Sequence, residues 1–354
     1  MPQIASIGYK IEIGKKSLSA LSSFLKKEKY SQYFILCDEN TLKHCLPVLI
    51  SKCKILNKAE IIEIESGESS KNIVVCSQIW QTLIDFNADK KSLIINLGGG
   101  VVSDLGGFIA ATYKRGIDFI NIPTSLLAMA DAGVGGKTGI DFAGVKNSIG
   151  TITQPKGVFV YPDFLKTLPP KHFDNGLAEI YKIALISDKT FWKKLSAQNG
   201  FKNSEEIIQK STHLKNVIVK KDPYEKNIRK SLNFGHTIGH AIEATLLGTK
   251  HELLHGEAVL VGLICESMIS AQKKLISKNE CLDILNILLD QFIFSPIPES
   301  FFNAILNFIE NDKKTSKGII KCVLLNGIGK YKINVDVSAE QIKESLQFYN
   351  SIIK

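Results

Sequence analysis

Short apolar runs punctuate the first half of the chain: YFILCDEN, AEIIEIES, KSLIINLGGG, IDFINIPT and KGVFVYP, each bounded by turn or cap residues. Runs of this length, rich in β-branched and aromatic residues, predict strands. Helical stretches lie between them, and strand alternating with helix predicts a mainly parallel sheet covered on both faces. Such sheets take ligands at the carboxyl ends of their strands. After Leu168-Pro169-Pro170 the apolar spacing lengthens to three and four residues, predicting helices over 175–186, 204–221, 235–247, 256–273, 277–293 and 339–352. Ser338 and Gln341 form a capping box that opens the last of these. One hairpin, CVLLNGIGKYKINV, interrupts the helices near the end. The expected organisation is therefore an α/β domain over residues 1–170 followed by a mostly helical domain over 171–354.

Composition agrees with two globular domains: 354 residues, 44% hydrophobic and 22% charged. No apolar run reaches the ~18 residues that cross a bilayer; the nearest, Leu93 to Thr112, is broken by glycines and Asp104. The opening MPQIASIGYKIEIG has neither the charged head nor the apolar run of a signal peptide, so the expectation is a cytoplasmic protein with no membrane partner. Seven scattered cysteines without a C-x-x-C predict reduced thiols rather than a disulfide framework or a zinc knuckle. The net charge of +9 is not gathered into a basic stripe with interleaved aromatics, which argues against nucleic acid and for an anionic small substrate. Of 44 Lys and Arg, only Arg115 and Arg229 are arginine. A chain this rich in lysine keeps a guanidinium where a planar fork must grip a carboxylate or phosphate.

Three stretches carry candidate chemistry. A buried strand runs into Gly98-Gly99-Gly100 and then into a helical stretch, an arrangement that admits a pyrophosphate to backbone N–H groups, although Ser103 stands where a G-x-G-x-x-G would have its last glycine. DAGVGGKTG fails as a P-loop, since the first glycine would fall at Asp131; it leaves Lys137 on a glycine-rich loop, with Lys146 and Asn147 following. In LNFGHTIGHAIE, His236 and His240 share one helix face, with Gly235 and Gly239 allowing close approach and Arg229 and Asn233 nearby. HELLH, from His251 to His255, matches the letters of a zinc-protease helix. It lacks a third histidine downstream, and Gly248 and Gly256 bracket it, so His251 and Glu252 read as loop residues before a helix. His255 is left to bind metal with His236 or His240 and one carboxylate, for which Glu179 in GLAEIYK is a candidate, with Lys182 on its face.

Taken together, GGGVVSDLGGFIAATYKRGIDFINIPTSLLAM, DAGVGGKTGID, KNSIG, GLAEIYK, LNFGHTIGHAIEA and HGEAV resemble the 3-dehydroquinate synthase family, in family order and over nearly the whole chain. The resemblance implies a Rossmann-like NAD-binding domain followed by a helical metal-binding domain. It implies conversion of 3-deoxy-D-arabino-heptulosonate 7-phosphate (DAHP) to 3-dehydroquinate and phosphate, the second step of the shikimate route, with NAD and zinc or cobalt. By the same resemblance Glu179, His236 and His255 are the metal ligands, His240 a proton shuttle and Glu225 a proton acceptor. Substrate contacts fall on Asp131, Lys137, Asn147, Lys182 and Lys215, and on Arg229, Asn233, His240 and Lys313; of these Lys137, Arg229 and Asn233 are also counted as catalytic. Arg115 matches an arginine that reaches the neighbouring site of a homodimer. NAD contacts fall on Asp38, Asn40, Glu68 and Lys71, on Gly99, Gly100, Val101 and Asp104, and on Thr124, Ser125, Lys146 and Thr167. Two departures from the family pattern are Ser103 and a lengthened loop between His240 and His255. Inosose- and valiolone-forming cyclases and metal-dependent alcohol dehydrogenases share the architecture; the latter typically use aspartate where Glu179 stands.

Overall fold

The computed structural model describes residues 3–197, 204–312 and 319–353. The chain opens with two short antiparallel strands, β1 (Gln3–Ala5) and β2 (Lys10–Ile13), too brief to announce themselves by alternation. Then come α1 (Ser17–Glu28), β3 (Tyr33–Asp38), α2 (Glu39–His44), α3 (Leu46–Lys52), β4 (Glu60–Ile64), α4 (Ile73–Asp85), β5 (Leu93–Gly98), α5 (Gly100–Thr112) and β6 (Asp118–Pro123). A two-stranded ribbon, β7 (Lys137–Phe142) with β8 (Val145–Ile152), precedes β9 (Val158–Val160). Seven of these strands form one sheet in the order β1-β2-β9-β6-β5-β3-β4, parallel throughout except for β1.

The sheet's hydrophobic register explains its layers. Every residue of β5 is buried, as in a strand covered on both faces. On one face Phe34, Leu36, Ile94 and Phe119 meet Cys76, Ile79 and Leu83 of α4 and Leu105, Phe108 and Ile109 of α5 in a single buried cluster. Each large apolar side chain so buried contributes about 1.5–3 kcal/mol. Helix α5 lies close because Gly106 and Gly107 carry no side chain: a Cβ there would stand 1.9 Å from Asn96 Oδ1 and 2.4 Å from Thr138 Cγ2. The close helix–strand approach that a third fingerprint glycine provides elsewhere is therefore supplied here by residues further along the helix than Ser103.

The second part of the chain supplies α6 (Pro170–Ser187), α7 (Lys189–Ser196), α8 (Ser204–Lys221), α9 (His236–Leu246), α10 (His255–Gln272), α11 (Lys278–Gln291), α12 (Phe302–Asp312), the hairpin β10 (Ile320–Leu325) with β11 (Tyr331–Val337), and α13 (Ala339–Ile352). Ser338 caps α13 and Gln341 returns the bond, as the sequence predicts. Two compact units emerge: Met1–Phe173 with Asn203–Lys220, and Asp174–Lys202 with Lys221–Lys354. Helix α8, counted with the helical half on its apolar spacing, thus belongs almost entirely with the α/β unit. Its buried Thr212 and Asn216 explain this, since they donate to Met129 O and Ala5 O.

One further feature differs from expectation. DAGVGGKTG is not a flexible loop throughout: Lys137 begins β7, and Lys146 and Asn147 lie on β8. The ribbon holds because Thr138 and Thr151 are paired and their hydroxyls meet at 2.8 Å, while Gly139 and Gly150 face each other. Lys313 lies outside the described residues, as does its neighbour Lys314.

Candidate metal centre and nucleotide site

Three elements of the helical unit deliver a cluster of titratable side chains. Helix α9 begins at His236, after Gly235 in a left-handed conformation, φ +80°. Its first turn is capped from outside: Glu266 of α10, fully buried, accepts the N–H of Gly235 at 2.6 Å and that of Ile238 at 3.4 Å. A carboxylate at a helix N-terminus satisfies donors that have no partner inside the helix. Helix α10 crosses α9 at small residues. A Cβ on Gly262 would lie 1.9 Å from Gly235 O, and one on Gly239 would lie 2.9 Å from Ala258 O. Helix α10 starts at His255 itself, with Leu254 N–H held by Glu257 at 2.6 Å. HELLH therefore straddles a helix start. Glu252 turns back to the N–H of Gly248, and the His251 ring packs on Phe301.

Glu179 comes from α6 and is 2% exposed. Its Oε1 lies 3.2 Å from His255 Nε2 and 3.4 Å from His236 Nε2, while Oε2 pairs with the buried Lys182 one turn on. The far nitrogens are also held. His236 Nδ1 meets Phe234 O at 3.1 Å, and His255 Nδ1 meets Glu243 Oε2 at 3.1 Å. A carbonyl and a carboxylate only accept, so each Nδ1 keeps its hydrogen, and each Nε2 can offer a lone pair to a cation placed at the point they share. One carboxylate oxygen and two imidazole nitrogens converging in this way, with the outer nitrogens tied, could hold a divalent metal ion with a position left open. His240, one turn along α9, joins them: the ligand atoms of His236, His240 and His255 all lie within 4.8 Å of one another.

The electrostatics fit a cation. Against the cost of burial, bonds to Glu179 and Glu243 push His255 up to about 10, so positive charge is favoured between the two carboxylates. Glu179 is held well below the usual carboxylate range in spite of its burial, first by Lys182 and then by His236. His240 goes the other way: desolvation among the packed imidazoles, and their charge, lower its pKa well below the usual histidine range even though its side chain is exposed.

Beside this cluster in the chain, residues 222–233 form a loop organised by Asp222. Its carboxylate accepts the N–H groups of Lys226, Asn227 and Arg229 at 2.7–3.0 Å, and these bonds lower its pKa despite the opposing cost of burial. Arg229 is buried and donates to Pro223 O at 2.6 Å. Asn233 donates to Glu225 Oε1 at 2.8 Å, with Glu225 at φ +56°. Arg229, Asn233 and Glu225 are thereby fixed in one turn.

In the α/β unit, strand order reverses direction between β3 and β5, the switch point at which such sheets bind ligands. Gly99 and Gly100 lead from β5 into α5, with Val101 in its first turn and Thr124 N–H on Gly98 O at 3.0 Å. Ser125 Oγ accepts the N–H of Ala128. Lys71, 3% exposed, bonds Asp104 at 2.7 Å and Asn147 Oδ1, with Glu68 at 3.6 Å. Burial would lower its pKa, but Asp104 and Glu68 outweigh that and raise it. Lys215 holds Asp131 through both a carboxylate oxygen at 2.9 Å and the backbone carbonyl at 2.6 Å. Asp38 caps α2 through Thr41 N–H at 2.8 Å, Asn40 is exposed on that helix, and Thr167 bonds Phe164 O. Lys137 and Arg115 are exposed, Arg115 at φ +64°, and Lys146 is half-buried on β8.

Sequence reasoning did not single out Glu243 or Glu266. Glu243 was findable, since it stands seven residues after His236 and three after His240 and so shares their face. Glu266 gave a subtler signal, an acid inside the apolar run of α10.

Comparison with known proteins agrees with this picture. Residues 61–175 match the profile of the 3-dehydroquinate synthase N-terminal domain and residues 176–315 that of the C-terminal domain. A 3-dehydroquinate synthase of Parabacteroides distasonis is 38% identical over 346 residues, covering 96% of this chain and 97% of that protein. Among solved structures, 2-deoxy-scyllo-inosose synthase complexed with carbaglucose-6-phosphate, NAD+ and Co2+ superposes with a TM-score of 0.85 at 22% identity, covering 98% and 99% of the two chains. The 2-epi-5-epi-valiolone synthase of Streptomyces hygroscopicus, with NAD+ and Zn2+ bound, gives 0.83 at 24% identity, with 98% of each chain covered. At these identities the two structures establish the fold.

Proposed function

The chain belongs to the 3-dehydroquinate synthase family, and from that premise we propose that it converts DAHP to 3-dehydroquinate and phosphate, using NAD and a zinc ion. The observation that carries the reading is the meeting of Glu179 Oε1 with the Nε2 atoms of His236 and His255, their Nδ1 atoms tied behind. These three would hold the ion.

When bound, NAD and the metal supply a reversible hydride acceptor and Lewis acidity towards the substrate hydroxyls. The rest of the work falls to side chains of the chain itself. His240, kept neutral, can accept a proton on its imidazole from a substrate hydroxyl and return it later. Arg229, Lys137, Lys182, Lys215 and Lys313 bind the carboxylate and phosphate of the substrate, with Asp131, Asn147 and Asn233 fixing its hydroxyls. Glu225 accepts a proton. Holding the open carbon chain in one conformer turns the final aldol closure into a favoured intramolecular step. Asp38, Asn40, Glu68, Lys71, Asp104, Thr124, Ser125, Lys146 and Thr167 surround the dinucleotide, whose pyrophosphate lies on Gly99, Gly100 and Val101. The enzyme works as a cytoplasmic homodimer in which Arg115 completes the neighbouring site.

The test is a balance of products. Incubation with DAHP, NAD and zinc is expected to release phosphate while NADH stays at trace level, because the hydride is returned. Accumulation of NADH in step with turnover would instead identify a metal-dependent dehydrogenase.

A further inference from the structure

Among the buried acids of the helical unit, Glu243 has a geometry that none of the roles above uses. It is 7% exposed, projects from α9, and places Oε2 3.1 Å from Nδ1 of His255 on α10. Helix α9 thus carries one histidine ligand, His236, and also the group that holds the second, His255. The two ligands are supported differently. His236 Nδ1 is met by a neutral backbone carbonyl from two residues upstream, whereas His255 Nδ1 is met by a carboxylate from another helix.

His255 needs such a partner more. It is the first residue of α10 and follows the segment 247–254, in which Leu247, Gly248, Lys250 and Glu252 are exposed. No preceding helical turn fixes its ring. A carboxylate behind an imidazole sets the tautomer, orients the ring and raises the basicity of the opposite nitrogen.

We propose that Glu243 is a positioning residue: by holding Nδ1–H of His255 it fixes the lone pair of Nε2 towards Glu179 and His236, and so sets the affinity of the site for a divalent cation without touching cation or substrate. This rests on the metal reading of the cluster given above. Two substitutions separate orientation from charge. In Glu243→Gln an amide oxygen can still accept Nδ1–H, but the charge is gone. In Glu243→Ala both are gone.

Zinc affinity of the purified full chain is measured by chelator competition, and the visible absorption of the cobalt-substituted protein reports the ligand field. Circular dichroism and NAD binding serve as controls on folding. Glu243→Ala is expected to weaken zinc binding by about 10–100-fold, with a shifted cobalt band. Glu243→Gln is expected to lose less, and in both variants kcat at saturating zinc should fall by a smaller factor than affinity. Zinc affinity within about twofold of the parent in both variants, with unchanged cobalt bands, would overturn the proposal. If Glu243→Ala fails the folding controls, Glu243→Leu, which keeps the bulk but accepts no hydrogen bond, decides: weaker zinc binding supports the role and parental binding overturns it. A parent chain that binds no zinc at all sinks the metal reading itself, an outcome distinct from variants that bind as the parent does.

Discussion

At the scale of the residue, two histidines four positions apart in HELLH have opposite fates, and the difference is one of backbone context. His255 starts a helix and turns its Nε2 to Glu179, while His251 sits in a turn with its ring on Phe301. His255→Ala should abolish turnover and bound zinc; His251→Ala should leave both within about twofold of the parent, as expected for a substitution away from buried networks. Equal losses, read by metal content and initial rate, would contradict this assignment. Letters alone favour a protease here, and the absent third ligand and the flanking glycines argue against it. What the letters could not supply is the identity of the partners behind each ring. Phe234 O reaches His236 through a local turn, and Glu243 reaches His255 only because two helices cross. The first is backbone geometry and the second is tertiary packing; the spacing of Glu243 after His236 and His240 places it on their face but does not name the ring it holds.

At the scale of the element, the α9–α10 crossing decides whether the ligands meet. It depends on Gly235, Gly239 and Gly262, and on Glu266 capping α9 from the facing helix. Gly262→Val would force a side chain into the carbonyl of Gly235, a backbone atom that cannot step aside. Overpacking of this kind costs about 1–3 kcal/mol. The expected outcome is a lowered midpoint in chemical denaturation together with weakened zinc binding. An unchanged midpoint would show that the helices are not held by this contact. Most helices were legible because an apolar stripe at three-to-four-residue spacing records burial directly: 204–221 and 339–352 coincide with α8 and α13. The β7–β8 ribbon was not legible. Phe142, Val145, Ile149 and Ile152 are exposed on it and its glycines are there for close strand contact, so neither alternation nor hydrophobicity marks it.

At the scale of the whole molecule, the switch from strand–helix alternation to continuous helix falls near Asp174, where the second compact unit begins, and the order of the motifs identified the family. The place of α8 was beyond the sequence, because an amphipathic helix states that it is covered and not by what. Family membership rests on both halves of the chain. The chemistry assigned to it rests on the metal centre, where two trios compete on geometry: Glu179 with His236 and His255, or the three imidazoles of His236, His240 and His255. Anomalous diffraction at the zinc edge from crystals of the zinc-loaded protein separates them. One ion is expected about 2.0–2.2 Å from Glu179 Oε1, His236 Nε2 and His255 Nε2, with His240 outside the coordination sphere. An ion held by the three histidines with Glu179 detached, or no ion in the cluster, would contradict this placement.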